Sequence, residues 1–214
     1  MCCRYYMEMS PELRPIIEET GRSRLTARIS DTLGRSLITE GEVRPTDIAP
    51  VIAPNQSGKR AVFPMVWGFR LPRSSSPLVN ARVETAGTKP SFRESWERRR
   101  CVIPASHYFE WEHFVNTATG KTETGAKYMI RPKGAGVTWL AGLYRIEERS
   151  GIRIPVFTVL TREPGESIRF IHNRMPVILP GEAAEKWIRP DADPDRIVKE
   201  AITEMEFFRT GSFP

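Results

Sequence analysis

The sequence predicts an α+β fold, one domain over residues 1–214 with a mostly antiparallel, barrel-like β core flanked by short helices. Three observations carry this. The chain has 214 residues, 40% of them hydrophobic and 27% charged, which is enough for one sizeable core and excludes the disordered and fibrous classes. Its β-type runs are short, aromatic and β-branched, and fall at irregular spacing. Helical signals are few and inserted between those runs, so no βαβ series is present.

The elements follow in order. From Ser10 the reading is mixed, because Pro11 suits a first helical turn while Pro15 sits deep for one. Leu25, Ile29 and Leu33 recur at i, i+4 and i+8 and stop at Gly34, a helix with a C-terminal cap signal. Ser91 with Glu94 reads as a capping box opening a helix through Phe92, Trp96 and Arg98–Arg100. Asp193-Pro194 caps a last helix carrying Ile197, Val198 and Ala201. Strands are expected at Val62–Phe69, Val102–Trp111, Lys127–Arg131, Val137–Ile146, Ile154–Thr161 and Val177–Leu179. The Pro72–Pro77 stretch is a short loop.

No apolar run reaches the ~20 residues of a membrane helix and no leader pattern opens the chain. The expectation is a cytoplasmic protein, nucleoid-associated if bacterial, with no membrane contact. Cys2, Cys3 and Cys101 are an odd set without a CxxC pair, and His107, His113 and His172 are scattered, so neither a disulfide framework, a metal nor another cofactor is expected. The charge of +6 is uneven. Between Arg70 and Arg100 eight basic residues face three acidic ones, whereas from Gly181 onward five face eight. A basic middle points to a polyanion, nucleic acid first.

Chemistry starts at the amino terminus. Loss of Met1 gives Cys2 a free α-amine beside its thiol, a 1,2-aminothiol. Such an amine titrates near pH 7.7–8.0 in model peptides, and a neighbour such as Arg4 favours the thiolate. The pair can attack an acyl carbonyl, or condense with an aldehyde to an imine that the sulfur closes into a thiazolidine ring. Asn80 can donate its amide to an oxyanion or a terminal amine, and Arg82 can bind phosphate. Glu110 stands among Tyr108, Phe109 and Trp111, apolar company that raises a carboxyl pKa and makes a proton donor. His172 lies two residues from Arg174, just before the Val177–Leu179 run.

These segments together resemble the SRAP (SOS response-associated peptidase) family, whose members process abasic sites. Met1-Cys2 with Arg4, Trp67-Gly68-Phe69, Asn80 to Thr85, Cys101 to Ala105, Phe109-Glu110-Trp111 and His172 to Pro176 occur in the family's order, spanning Cys2 to about Leu179. The resemblance implies binding of single-stranded DNA with abasic sites, including strands at a junction with duplex, by a monomer. It also implies a covalent thiazolidine crosslink between Cys2 and the ring-opened aldehyde. On that basis Asn80 positions the amine and sulfur, Glu110 assists proton transfer and His172 acts on the deoxyribose ring oxygen. Arg4, Arg82 and Arg174 hold phosphates, Trp67 stacks on a base, and Thr161 lines the phosphate path. Peptidase, hydrolase or lyase activity, including processing of its own amino terminus, belongs to the same expectation, although Met1 alone before Cys2 leaves almost nothing to remove.

Two positions depart from the family pattern. Cys3 stands where Gly commonly follows the nucleophile, and Thr46-Asp47-Ile48-Ala49-Pro50 lacks the Asn of the usual segment. Two other classes compete. One is an N-terminal-nucleophile amidohydrolase, which also begins Met-Cys but continues Gly-Ile, absent here; the other is a non-covalent single-strand binder.

Overall fold

The computed structural model describes residues 2–72 and 74–211, so Met1, Arg73 and 212–214 lie outside the description that follows. The chain opens with β1 (Tyr5–Met7), α1 (Arg14–Gly21), α2 (Arg24–Leu33), β2 (Gly41–Val43), β3 (Ile48–Pro54), β4 (Arg60–Trp67) and β5 (Asn80–Arg82). Next come α3 (Val83–Ala86), α4 (Arg93–Arg98), β6 (Arg100–Ala105), β7 (His107–Val115), β8 (Thr122–Pro132), β9 (Thr138–Arg149) and β10 (Ile152–Arg162). The last elements are β11 (Met175–Pro176), β12 (Ile178–Leu179), α5 (Gly181–Trp187), α6 (Pro194–Ile197) and β13 (Met205–Arg209).

Five strands close on themselves as β10–β4–β3–β6–β9–β10, a barrel in which only the β10–β4 pairing is parallel. Closure removes the free edges that an open sheet leaves. A second sheet, β13–β8–β7–β1–β2, is antiparallel throughout. Buried Tyr5, Trp67, Phe69, Tyr108 and Phe157 fill the space between and within the sheets. The expected mixed fold with a barrel-like core and short helices is therefore what forms.

Several boundaries differ from the sequence reading. The run Val102–Trp111 is two strands broken at Ser106. Its N–H donates to the Tyr6 carbonyl, its hydroxyl accepts from the Glu8 N–H at 2.9 Å, and its carbonyl accepts from the Thr138 hydroxyl at 3.0 Å. One side of the break joins the barrel and the other the second sheet, and an apolar run gives no sign of that change of partner. A second change of partner lies at Val177: Met175–Pro176 pairs with β10 and Ile178–Leu179 with β9. β3 escapes sequence reading because Pro50 and Pro54 interrupt it; Pro50 lies opposite Pro64, so neither partner has an N–H to donate.

Among the helices, α2 ends as expected at Gly34, whose φ of 61° is the left-handed cap conformation. α1 resolves the proline conflict: Ser10 accepts from the Leu13 N–H at 3.3 Å, and the helix begins only at Arg14, so Pro15 falls in its first turn. Asp193 caps α6 through the Asp195 and Arg196 N–H groups, but that helix stops at Ile197. The capping box at Ser91 does not form. Phe92 is the cap residue without a side-chain bond, and the helix starts where Phe92 and Trp96 bury their rings against Phe69 and Trp187. Packing sets that boundary.

Candidate active site

β1 delivers the amino terminus to the junction of the two sheets, with Tyr5 paired to both Val43 and Tyr108. Cys2 is fully buried, its Sγ 3.8 Å from the Arg4 carbonyl. β5 lies parallel to β10 with Asn80 opposite Val159. This places the Asn80 amide nitrogen 2.8 Å from the Cys2 carbonyl oxygen, to which it donates. The other end of that amide, Oδ1, is buried and accepts no hydrogen bond among the described residues. It is an acceptor held at Cys2 with capacity for an N–H.

Glu110 sits on β7 directly opposite Tyr128, and is 3% exposed. Burial pushes its carboxyl above the ordinary range, although the Trp111 N–H donates to it at 3.3 Å. Burial also drives the Cys2 thiol far above its usual range, and the Glu110 charge adds to that rise at both Cys2 and Cys3. The two groups thus favour each other's neutral forms. Burial and the Glu110 charge therefore favour the thiol over the thiolate, and the Arg4 guanidinium turns to Glu42.

His172 follows a short 3-10 turn at Glu166–Ile168. Its loop is tied to β7 where the His113 N–H donates to the Ile171 carbonyl, and the two imidazoles lie 4.9 Å apart. Nδ1 of His172 accepts from the Arg174 N–H at 3.0 Å. Burial lowers its pKa to about 4. At neutral pH the ring is uncharged, and with Nδ1 accepting, its proton is on Nε2.

The predicted strand-binding residues divide into two sets. Arg82 is exposed and makes no ion pair among the described residues. Arg4 pairs with Glu42 and lies 5.6 Å from the Trp111 ring centre. Arg174 forms a two-pronged pair with Glu84 at 2.8 and 2.9 Å and donates to the Thr161 carbonyl at 2.7 Å. Trp67 and Thr161 are buried: the indole stacks 5.9 Å from Phe157 and donates to the Val79 carbonyl, and the Thr161 hydroxyl turns to the Ala81 carbonyl. Both side chains are enclosed in this packing, at 0% exposure.

The basic tract also shrinks. Arg100 is buried, directing its guanidinium to the carbonyls of Trp96, Glu97, Trp187, Arg189 and Ala192, and Arg99 pairs with Glu94. Thr46-Asp47 forms a turn in which Asp47 accepts from the Arg44 N–H and Thr46 donates to the Trp67 carbonyl. Sequence reasoning missed Glu42, which gathers Arg4, Arg44 and Lys127. Burial pushes its carboxyl up, but those three hydrogen bonds prevail and hold it at about 2. It also missed Glu84 and Tyr128; the first had a signal in its place within the Asn80–Thr85 segment, and the second had none.

Comparison with known proteins gives one consistent result. Residues 1–210 match the SOS response associated peptidase (SRAP) family. The abasic site processing protein YoqW of Bacillus subtilis is 30% identical over 191 residues, covering 82% of this chain and 83% of that protein. The abasic site processing protein YobE of the same organism is 31% identical over 170 residues, 74% of this chain and 75% of the relative. A solved structure from Bacteroides thetaiotaomicron superposes with a TM-score of 0.73 at 22% identity, covering 99% of this chain and 93% of the other.

Proposed function

We propose that this chain, which belongs to the SOS response associated peptidase family, recognises abasic sites in single-stranded DNA and traps their aldehyde covalently at Cys2. The observation that carries the reading is the clamp on Cys2: Asn80 donates to its carbonyl while keeping a buried acceptor free, with the Glu110 carboxyl acting on the same thiol. The names of the relatives, abasic site processing proteins, supply the substrate class.

The steps follow from the groups present. Removal of Met1, which lies outside the described residues, frees the Cys2 amine, and Asn80 Oδ1 accepts one of its N–H groups. The Nε2–H of neutral His172 hydrogen-bonds to the ring oxygen of the abasic sugar as the bond from that oxygen to C1 breaks. The ring oxygen ends as a hydroxyl, the proton of the anomeric hydroxyl replaces the one drawn from His172, and C1 is left as the aldehyde. The amine adds to that aldehyde and loses water to give an imine. The thiol then adds to the imine carbon: a C–S bond forms, and the proton leaving sulfur ends on nitrogen with Glu110 as its relay. A resting thiol that keeps its proton suits this route, because nitrogen needs that proton at ring closure. Arg82 serves the backbone phosphates.

A denaturing gel tests the reading. A shifted band with an abasic oligonucleotide and none with the intact strand is the expected result, lost in Cys2→Ser and in a variant with one residue added before Cys2. Glutamine hydrolysis without a DNA adduct would place the chain with the amidohydrolases instead.

A further inference from the structure

We infer that Tyr128, Phe170 and Phe207 form a base-stacking subsite, with Arg209 as its phosphate contact, for a nucleotide beside the lesion; this rests on the abasic-strand reading above. Glu110 pairs directly with Tyr128, and Tyr128 pairs directly with Arg209. Directly opposed residues project from one face of a sheet and neighbouring strands lie about 5 Å apart. The carboxyl of the reaction site, a phenol ring and a guanidinium therefore stand in one row across β7, β8 and β13.

Phe207, opposite Ile130, continues that face two residues along. Phe170 comes from the other side, two residues before His172. The three rings meet edge to face with centroids 5.2, 5.7 and 5.9 Å apart. Phe170 remains 48% exposed and Phe207 36%. Two phenylalanines left in water next to the site form a contiguous apolar patch of the kind that marks a binding surface. Arg209 is exposed beside them and has no carboxylate partner among the described residues.

The occupant follows from this chemistry. Rings with a cation at their border are what a single strand needs, since bases stack on aromatic faces while cations track the backbone. With Trp67 enclosed, the stacking surface has to come from elsewhere, and this patch adjoins both Glu110 and His172. A strand whose abasic position reaches Glu110 carries its neighbouring base over the patch.

The test uses a single strand containing a tetrahydrofuran abasic analogue, which cannot form an aldehyde, with 2-aminopurine on either side of it. The parent should quench 2-aminopurine on one side. The double variant Phe170→Ala, Phe207→Ala should lose that quenching and bind roughly 5- to 150-fold more weakly, the range expected for one stacked base. Phe208→Ala supplies the control, because Phe208 is 42% exposed on the same strand but projects from the opposite face; it should bind and quench like the parent. Parental affinity and quenching in a folded double variant would overturn the inference, as would an equal loss in Phe208→Ala. Sedimentation showing that the double variant abolishes self-association and leaves DNA binding intact would also overturn it, as the patch would then join copies of the chain. If the parent binds and quenches the analogue strand but never crosslinks a true abasic strand, the covalent reading falls and the subsite stands.

Discussion

Cys2, Glu110 and His172 show how far single residues can be read from sequence. The aromatic company of Glu110 pointed to a carboxyl pushed upward, which is the direction that its burial gives. The rise of the Cys2 thiol was not foreseeable, because it comes from burial and from the Glu110 charge, while the Arg4 side chain turns to Glu42 on β2. His172 stood out by its neighbours Asn173 and Arg174, but its tautomer depends on a loop bond to the Arg174 N–H. Glu110→Gln and His172→Ala should each slow crosslink formation by about 10²–10⁴-fold, the range for a positioned proton-transfer group. Affinity for intact strands should change little in both, and an equal loss of binding and rate would assign them structural roles. Cys3→Ala should retain the crosslink; loss in that variant would move the nucleophile by one residue.

At the level of elements, the longer apolar strands β4, β6, β7, β9 and β10 were legible, whereas β1, β2, β3, β5, β11 and β13 and the partnership of all strands were not. Hydrophobic alternation reports that a segment is extended and half-buried, but not which sheet it joins, so the changes of partner at Ser106 and at Val177 were invisible. The barrel's closure depends on a residue with no periodic signature. Gly142 pairs with Cys101 on one side and Val159 on the other, the point where β9 is held by both neighbours. A Cβ there would lie 2.8 Å from the Thr158 carbonyl oxygen and 2.4 Å from the Ile103 Cδ1. Ile103 can shift, whereas the Thr158 backbone belongs to β10 and cannot without opening the ring. Gly142→Ala should lower stability by about 1–3 kcal/mol, as overpacking typically does, read as a fall in urea midpoint with unchanged slope. An unaltered midpoint would mean that the barrel has slack at its seam.

Across the whole molecule, net charge says little about which cations face solvent, because Arg100 is internal and Arg99 and Arg174 are engaged by carboxylates. Arg82 is exposed and, among the described residues, makes no ion pair, which leaves it open to the phosphate role proposed for it. Arg82→Ala should make the log–log salt dependence of single-strand affinity shallower by about 0.7, one phosphate contact, while Cys2→Ser keeps the parental slope; an unchanged slope in Arg82→Ala would turn that face away from DNA. Stability has its own charge signature. Burial holds His107 and His172 at about 4 against an ordinary 6.5. Between those values the unfolded chain binds more protons, so this contribution is complete above pH 6.5 and is lost as pH falls through about 4. His107→Gln should flatten the fall of the urea midpoint over that interval, and parallel curves for variant and parent would remove His107 from the explanation. The central claim is the covalent trap at Cys2, and peptide mass mapping of the DNA adduct tests it most directly. The expected product is the amino-terminal peptide without Met1, carrying the sugar remnant at Cys2 with the loss of one water and no free thiol or amine on that residue. An adduct on a lysine, or one on a chain that keeps Met1, would contradict the thiazolidine mechanism.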